Sequence, residues 1–310
     1  MKEILRLKPV FQHKLWGGDR MRQVFGYDIP DDHTGECWAI SGHSGGQSVV
    51  QDGPFAGQTL GQLWQTHREL FGNLPGDCFP LLVKIIDARQ DLSIQVHPDD
   101  DYARVHENGA LGKTECWYVL DCEPGASIII GHNAADRDAL AQMVQQGRWT
   151  ELLRQVPIHP GDFFQIEPGC LHAIRGGTLI LETQQSSDVT YRFYDYDRLE
   201  NGRPRTLHIE KSLAVTTAPF RPATVQPETT RTGDMQITHL VTCPYYSVYR
   251  AQLDGQAQLS WQQPFVNLSV LSGSGTLDGT PVRQGDHLLL CANYGPMHLS
   301  GHLTLLYSHP

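Results

Sequence analysis

No apolar run in this 310-residue chain reaches the length of a membrane-spanning helix, so no helix is expected to cross a bilayer. Basic residues are in deficit, with 24 Lys and Arg against 34 Asp and Glu and a net charge of −10. Broad recognition of nucleic acid or of an anionic membrane needs a basic surface, and both are excluded as partners. An anionic substrate would have to meet a local basic cluster inside an acidic body. Seven cysteines stand at positions 37, 78, 116, 122, 170, 243 and 291, with no Cys-x-x-Cys among them. An odd, scattered set fits a reduced intracellular chain better than a disulfide scaffold. The opening residues, Met1 to Lys8, lack the apolar core of a secretory signal. The cytoplasm is the expected compartment. The Gly-rich stretch Ser272-Gly273-Ser274-Gly275-Thr276 lacks the lysine and the following helix of a phosphate loop, and reads as a turn.

What is present is ordinary globular material, 40% hydrophobic and 19% charged, enough for a substantial core. The length exceeds one typical domain. Short runs of Val, Ile, Leu, Phe and Tyr alternate with Gly, Pro and Asp turns. Strands are expected at 81–86, 92–97, 115–120, 127–130, 162–166, 179–183 and 190–194. Many short, evenly spaced strands favour a sandwich or barrel. Two segments read as helical. Residues 60–71 carry Leu60, Leu63, Trp64, His67 and Phe71 at helical spacing. Residues 135–156 open on a capping Asp136 and divide at Gly147. Pro219, Pro222 and Pro227 mark a boundary, giving units 1–218 and 219–310. The second unit is again β, at 246–253, 266–271, 287–290 and 303–307. Its Gly285-Asp286 turn echoes Gly161-Asp162, a weak internal repeat. It lacks the polar motifs of the first unit and is expected to be chemically idle.

Those motifs begin with Leu92-Ser93-Ile94-Gln95-Val96-His97-Pro98-Asp99-Asp100. Strict alternation puts Leu92, Ile94 and Val96 on one face of a strand and Ser93, Gln95 and His97 on the other. On the next strand-like run Lys113, Glu115, Trp117 and Val119 share a face. His172 follows the turn Glu167-Pro168-Gly169-Cys170-Leu171. Two imidazoles and a carboxylate are a common catalytic zinc set that leaves positions for water or substrate, and Gln95 can add a carbonyl oxygen. Among 15 histidines any single one is more readily structural; the set in combination points to a metal. Asp99-Asp100-Asp101 reads as a solvated charge run, and Trp117, Phe163, Phe164 and Tyr191 as core.

These residues, in this order, resemble the type I phosphomannose isomerases, metal-dependent cupins. The resemblance runs from the N-terminus to near Leu213. It includes Trp16-Gly17-Gly18, Gly35-Glu36-Cys37-Trp38, Pro80-Leu81-Leu82-Val83-Lys84, Gly112-Lys113-Thr114-Glu115-Cys116-Trp117-Tyr118, the turn to His172, and Leu181-Glu182-Thr183-Gln184-Gln185-Ser186-Ser187-Asp188-Val189-Thr190-Tyr191-Arg192-Phe193-Tyr194-Asp195-Tyr196-Asp197-Arg198. It implies a mainly β fold of two cupin-like (jelly-roll) β-barrels with a small helical insertion, like the family's short bacterial branch. It implies one Zn²⁺ per chain, with ligands matching Gln95, His97, Glu115 and His172. The family's active-site arginine matches Arg192, and its lysines near the reacting carbons or the phosphate match Lys84 and Lys113. Many members work as monomers, so a monomer or weak homo-oligomer is expected. Two departures stand out. Cys170 replaces a threonine common before the ligand, and Gly112 stands where longer members have a histidine, so a ring-opening role for that histidine cannot transfer.

The implied reaction moves a proton between C2 of mannose 6-phosphate and C1 of fructose 6-phosphate through a cis-enediol(ate). A bound cation stabilises the charge that develops, and a positioned base shuttles the proton. Arg192, permanently charged and forked, suits the enediolate or a phosphate, with an ion pair to Asp188, Asp195 or Asp197 as the structural alternative. Lys84 lies inside an apolar strand, a costly place for a charge unless it is paired or functional. It is a candidate base, as is a metal-bound hydroxide. Lys113 and Ser93 are the candidates for the phosphate. Two rivals remain: a metal-dependent isomerase of another aldose or aldose phosphate, and a non-catalytic sugar-binding or regulatory cupin.

Overall fold

The computed structural model describes residues 2–200 and 202–310. It is mainly β, and three large sheets build most of it, with a two-stranded ribbon of Leu199–Glu200 and Arg203–Pro204 beside them. A six-stranded sheet runs in the order Phe163–Ile166, Glu115–Cys122, Thr178–Gln185, Leu81–Ala88, Val10–Gly18, Thr34–Ser41. A five-stranded sheet runs Tyr191–Tyr194, Ile94–Val96, His172–Ala173, Ser127–His132, Leu153–Pro157. The nine-stranded sheet holds every long strand after residue 228, including Ser247–Trp261 paired along its length with Gly295–His309. The segment 219–310 does not complete this sheet alone. The first strand, Ile4–Lys8, pairs antiparallel with His287–Leu290, and Val49–Val50 pairs with it in turn.

The six-stranded sheet is the shared middle layer. Val83, Ile85, Leu179 and Leu181 pack on one side with Leu240, Val248, Leu289 and Leu306 of the nine-stranded sheet. Ile86, Ala88, Trp117, Val119 and Ile180 pack on the other with Ile128 and Ile174 of the five-stranded side. Strands Leu81–Ala88 and Thr178–Gln185 are therefore buried at every position. A strand covered on both faces loses the polar alternation of a half-exposed one. The outer side of the five-stranded sheet carries Ile94, Val96, Tyr191 and Phe193 against Leu140, Val144 and Leu152 of the helical insertion.

The helical expectations resolve into shorter pieces. Leu60–Thr66 is a helix with a full capping box from Thr59 and Gln62, and Arg68–Phe71 continues as a 3₁₀ turn. Asp136 caps Arg137–Gln145, accepting from the Ala139 amide at 2.8 Å. The chain breaks at Gly147, whose φ of +64° suits glycine, and Leu153–Pro157 is already a strand. The acidic run is not merely solvated: Asp99 caps a helix, Asp100–His106, absent from the sequence reading. The strand around Gln95 covers only Ile94–Val96. Leu92 precedes it and sits in the core between the sheets, not on the Ile94 and Val96 face. Among the described residues no helix is long and apolar enough to cross a membrane.

Candidate metal centre and active site

His97, Glu115 and His172 converge, each offering a ligand atom within 4.8 Å of the others, and all three are buried. His97 follows the strand Ile94–Val96. His172 opens the neighbouring two-residue strand, where it pairs with Gln95. Glu115 opens its own strand in the facing sheet. Each imidazole is oriented from behind. His97 Nδ1 donates to the Val189 carbonyl at 2.8 Å, and His172 Nδ1 donates to the Cys170 carbonyl at 2.8 Å. A carbonyl only accepts, so both hydrogens are on Nδ1 and both Nε2 lone pairs face inward. These nitrogens lie 3.2 Å apart. Glu115 reaches within 3.5 Å of His97 Nε2 and 3.4 Å of His172 Nε2, and its Oε1 is buried without a hydrogen-bond partner. Two unprotonated Nε2 atoms and a carboxylate crowded together fit a divalent cation, which would take all three as ligands. Burial, with the nearby charge of Lys113, pushes both histidines below the ordinary range, His172 to about 4, so both stay unprotonated near neutral pH.

Gln95 presents its amide to the cluster with Nε2 3.4 Å from His172 Nε2, while its Oε1 accepts from Ser93 Oγ at 3.3 Å. A half-turn of the amide is needed to offer the oxygen to a cation.

Above the cluster opens a cavity of about 250 Å³. It is lined by all five remaining candidates from the sequence: Lys84, Ser93, Gln95, Lys113 and Arg192. The structure separates their situations. Lys113 Nζ is ion-paired with Glu115, lies 3.3 Å from His97 Nε2 and is 3.7 Å from Glu182. Burial depresses its pKa, but Glu115 and Glu182 more than reverse this and hold it above an ordinary lysine. Its ammonium is engaged by these two carboxylates. Lys84 faces the same side, with Nζ 3.6 Å from Glu182 Oε1 and 5.2 Å from the centre of the Trp38 ring. Arg192 forms no ion pair with Asp188, Asp195 or Asp197 among the described residues. Asp195 is taken by Arg198 and Arg205, and Arg192 Nε is buried without a partner.

Four lining residues carry roles that the sequence reading did not assign: Lys14, Glu36, Glu182 and Arg205. Glu182 stands opposite Lys84 in the strand register, accepts from Trp117 Nε1 at 2.9 Å, and keeps Oε1 free of hydrogen bonds. Burial and the charge of Glu115 push its carboxyl up despite the two lysines. The rule that singles out Lys84, a charge in an apolar strand, finds Glu182 as well. Arg205 comes from outside the sheets and is drawn in by a double contact to Asp195, at 2.7 and 2.6 Å. Among the described residues no such metal cluster occurs in the second unit.

Residues 4–121 match the family model for the phosphomannose isomerase type I catalytic domain, and residues 236–310 match that for the mannose-6-phosphate isomerase cupin domain. A mannose-6-phosphate isomerase of Bacillus subtilis (strain 168) is 49% identical over 99% of both chains. The chain belongs to the type I phosphomannose isomerase family. The mannose-6-phosphate isomerase of Streptococcus mutans is 46% identical over 100% of this chain and 99% of its own. A crystal structure of the mannose 6-phosphate isomerase from Bacillus subtilis superposes with a TM-score of 0.97, at 46% identity and 99% coverage of each chain. The family's cupin fold and isomerase class therefore apply to this chain, with a His-Glu-His site fit for a divalent cation.

Proposed function

We propose that the chain interconverts mannose 6-phosphate and fructose 6-phosphate, using one zinc ion held by His97, Glu115 and His172 with Gln95 as a fourth donor. The observation that carries this is the inward convergence of two Nε2 lone pairs and an unpartnered carboxylate oxygen at the floor of a charged cavity. When bound, the cation supplies a Lewis acid for the negative charge that develops as the C–H beside the sugar carbonyl ionises. The chain's own residues do the rest. Lys113 holds Glu115 in place through their ion pair. Lys84 and Glu182, 3.6 Å apart on the cavity wall, handle the proton exchanged between C2 and C1, with Glu182 Oε1 free to accept it. Arg192 and Arg205 supply fixed positive charge at the other side. Asp195 is paired with Arg198 and Arg205, and Arg192 nearby makes no ion pair with it, so this side carries spare positive charge that suits a phosphate dianion. Ser93 adds a hydroxyl on the same wall. All seven cysteines are free, as suits work in the cytoplasm.

The test is a coupled assay on mannose 6-phosphate, run on protein as purified, on protein stripped of metal by prolonged chelation, and after zinc is returned. Activity should vanish on stripping and come back with zinc. Full activity in protein shown by elemental analysis to be metal-free sinks the proposal.

A further inference from the structure

The segment just before Glu115 is not part of any sheet, yet its backbone is held from three directions. Gly112 N–H donates to Asp100 Oδ1 at 2.7 Å, Lys113 N–H to the Pro98 carbonyl at 3.0 Å, and Thr114 N–H to Gln185 Oε1 at 2.9 Å. Gln185 Nε2 also donates to Asp100 Oδ1 at 3.0 Å, so Asp100 and Gln185 act as one brace. Gly112 is pressed against the start of the helix that carries Asp100: a Cβ there would lie 2.4 Å from the Asp99 carbonyl carbon. No side chain fits between the brace and the segment.

The second oxygen of Asp100 is held from the other unit. Tyr245 donates its hydroxyl to Asp100 Oδ2 at 2.8 Å across 145 residues of sequence. The next residue reaches the far flank of the same strand. Tyr246, fully buried, donates to Gln165 Oε1 at 3.2 Å, and Gln165 pairs with Cys116, the neighbour of Glu115. Two consecutive tyrosines of the second unit therefore grip the chain on both sides of Lys113-Thr114-Glu115.

We infer that Tyr245 is a positioning residue: through Asp100 it sets the backbone that aims Lys113 and Glu115 at the metal centre. This gives the second unit a part in the reaction without a reacting group of its own. It rests on His97, Glu115 and His172 being the metal ligands. An outer partner of a metal site that loses its contact typically costs roughly 10–100-fold in metal affinity or activity. Tyr245 lies one residue further out, so the low end of that range applies.

The experiment compares the parent, Tyr245→Phe and Tyr294→Phe as full chains. Tyr294 makes the same kind of contact, its hydroxyl to Asp278 Oδ2 at 3.0 Å, far from the cavity. Each protein is loaded with cobalt(II). Its visible spectrum, its zinc affinity by chelator competition, its thermal midpoint, and its kcat and KM on mannose 6-phosphate are then recorded. Tyr245→Phe should shift the cobalt spectrum, weaken zinc by roughly ten-fold and lower kcat with little change in KM, while Tyr294→Phe matches the parent in spectrum and affinity. A Tyr245→Phe protein with the parent's spectrum and zinc affinity overturns the inference, and so do equal losses in both variants. If the parent takes up no cobalt or zinc, the ligand assignment fails and the inference with it. If the parent binds metal but isomerises no sugar phosphate, only the proposed reaction fails, because spectrum and affinity still decide the role of Tyr245.

Discussion

Glu36 offers a sharp numerical test of the charged cavity. Its side chain is only 12% exposed and lies on the strand Thr34–Ser41. Oε2 accepts from Trp38 Nε1 at 2.7 Å and lies 3.5 Å from Lys14 Nζ. Burial alone would raise its pKa, but the charges of Lys84 and Lys14 overcome that and hold the carboxyl at about 2, against an ordinary 4.5. At about 1.4 kcal/mol per pH unit, the ionised carboxylate is favoured over the neutral acid in the folded chain by about 3 kcal/mol more than in the unfolded one. Glutamine has the shape of that neutral form. Glu36→Gln should therefore destabilise the protein by about 3 kcal/mol at pH 7. The folded pKa lies below the unfolded one, so the contribution is whole above about pH 4.5 and is lost as pH falls through about 2. By pH 3.5 about 1.4 kcal/mol of the difference between parent and variant should be gone. Urea titrations followed by tryptophan fluorescence at pH 7, 5 and 3.5 measure this. A difference under about 1 kcal/mol at pH 7, or one as large at pH 3.5 as at pH 7, refutes the reasoning.

Returning zinc to stripped protein should raise the thermal midpoint, since saturation at a thousand times Kd adds about 4.1 kcal/mol; superimposable melts with and without zinc count against the three-ligand site. Arg205→Leu should cut the preference for phosphorylated over free mannose by roughly 10–100-fold, the worth of a charged hydrogen bond, and equal loss on both sugars assigns the phosphate elsewhere. Lys113→Met strips the buried Glu115 of its ion-pair partner while Glu182 keeps Lys84, so it should cost about 3–5 kcal/mol in stability and impair both sugars alike; a defect confined to the phosphorylated sugar restores Lys113 as the phosphate handle. His287 is buried between Tyr27 and Ser269 and pushed down to about 4, so the unfolded chain takes its proton first and stability should fall by up to about 3 kcal/mol as pH drops from 6.5 to 4. His287→Asn should flatten that acid arm, and an arm of unchanged slope disproves the assignment.

The convergence of His97, Glu115 and His172 was legible because it obeys local rules. Strand parity puts Gln95 and His97 on the inner side while Ile94 and Val96 go to the helical layer. The turn before His172 delivers its ring to the same floor. Leu92 departs from this parity because the strand starts later, at Ile94, and an irregular residue owes nothing to period two. The wider site was harder for a reason built into the fold. The sheet that carries Lys84 and Glu182 is covered on both faces, so its strands read as continuous apolar runs in which a charge is an anomaly with no stated side. The register answers what the sequence leaves open, by setting Lys84 opposite Glu182 and Glu182 opposite Trp117.

Arg205 and Tyr245 mark the limit of reading along the chain. Neither lies on a patterned strand beside a motif; Arg205 is held at the cavity by Asp195, and Tyr245 meets the segment before Glu115 only through Asp100, carboxylates that sequence spacing does not connect to them. Asp100 shows the cost of classifying by composition. In a run of three aspartates the expected state is solvation, yet its carboxylate takes donors from Gly112, Gln185 and Tyr245. A hydrogen-bond acceptor that joins a helix start, a glycine segment and another unit cannot be recognised from its neighbours in sequence, because all of its partners are distant. Contacts between the two units concentrate at the same point. The second unit borrows the strand Ile4–Lys8 for its sheet and returns two tyrosines to the flanks of Glu115, so the site is held in place by both halves of the chain.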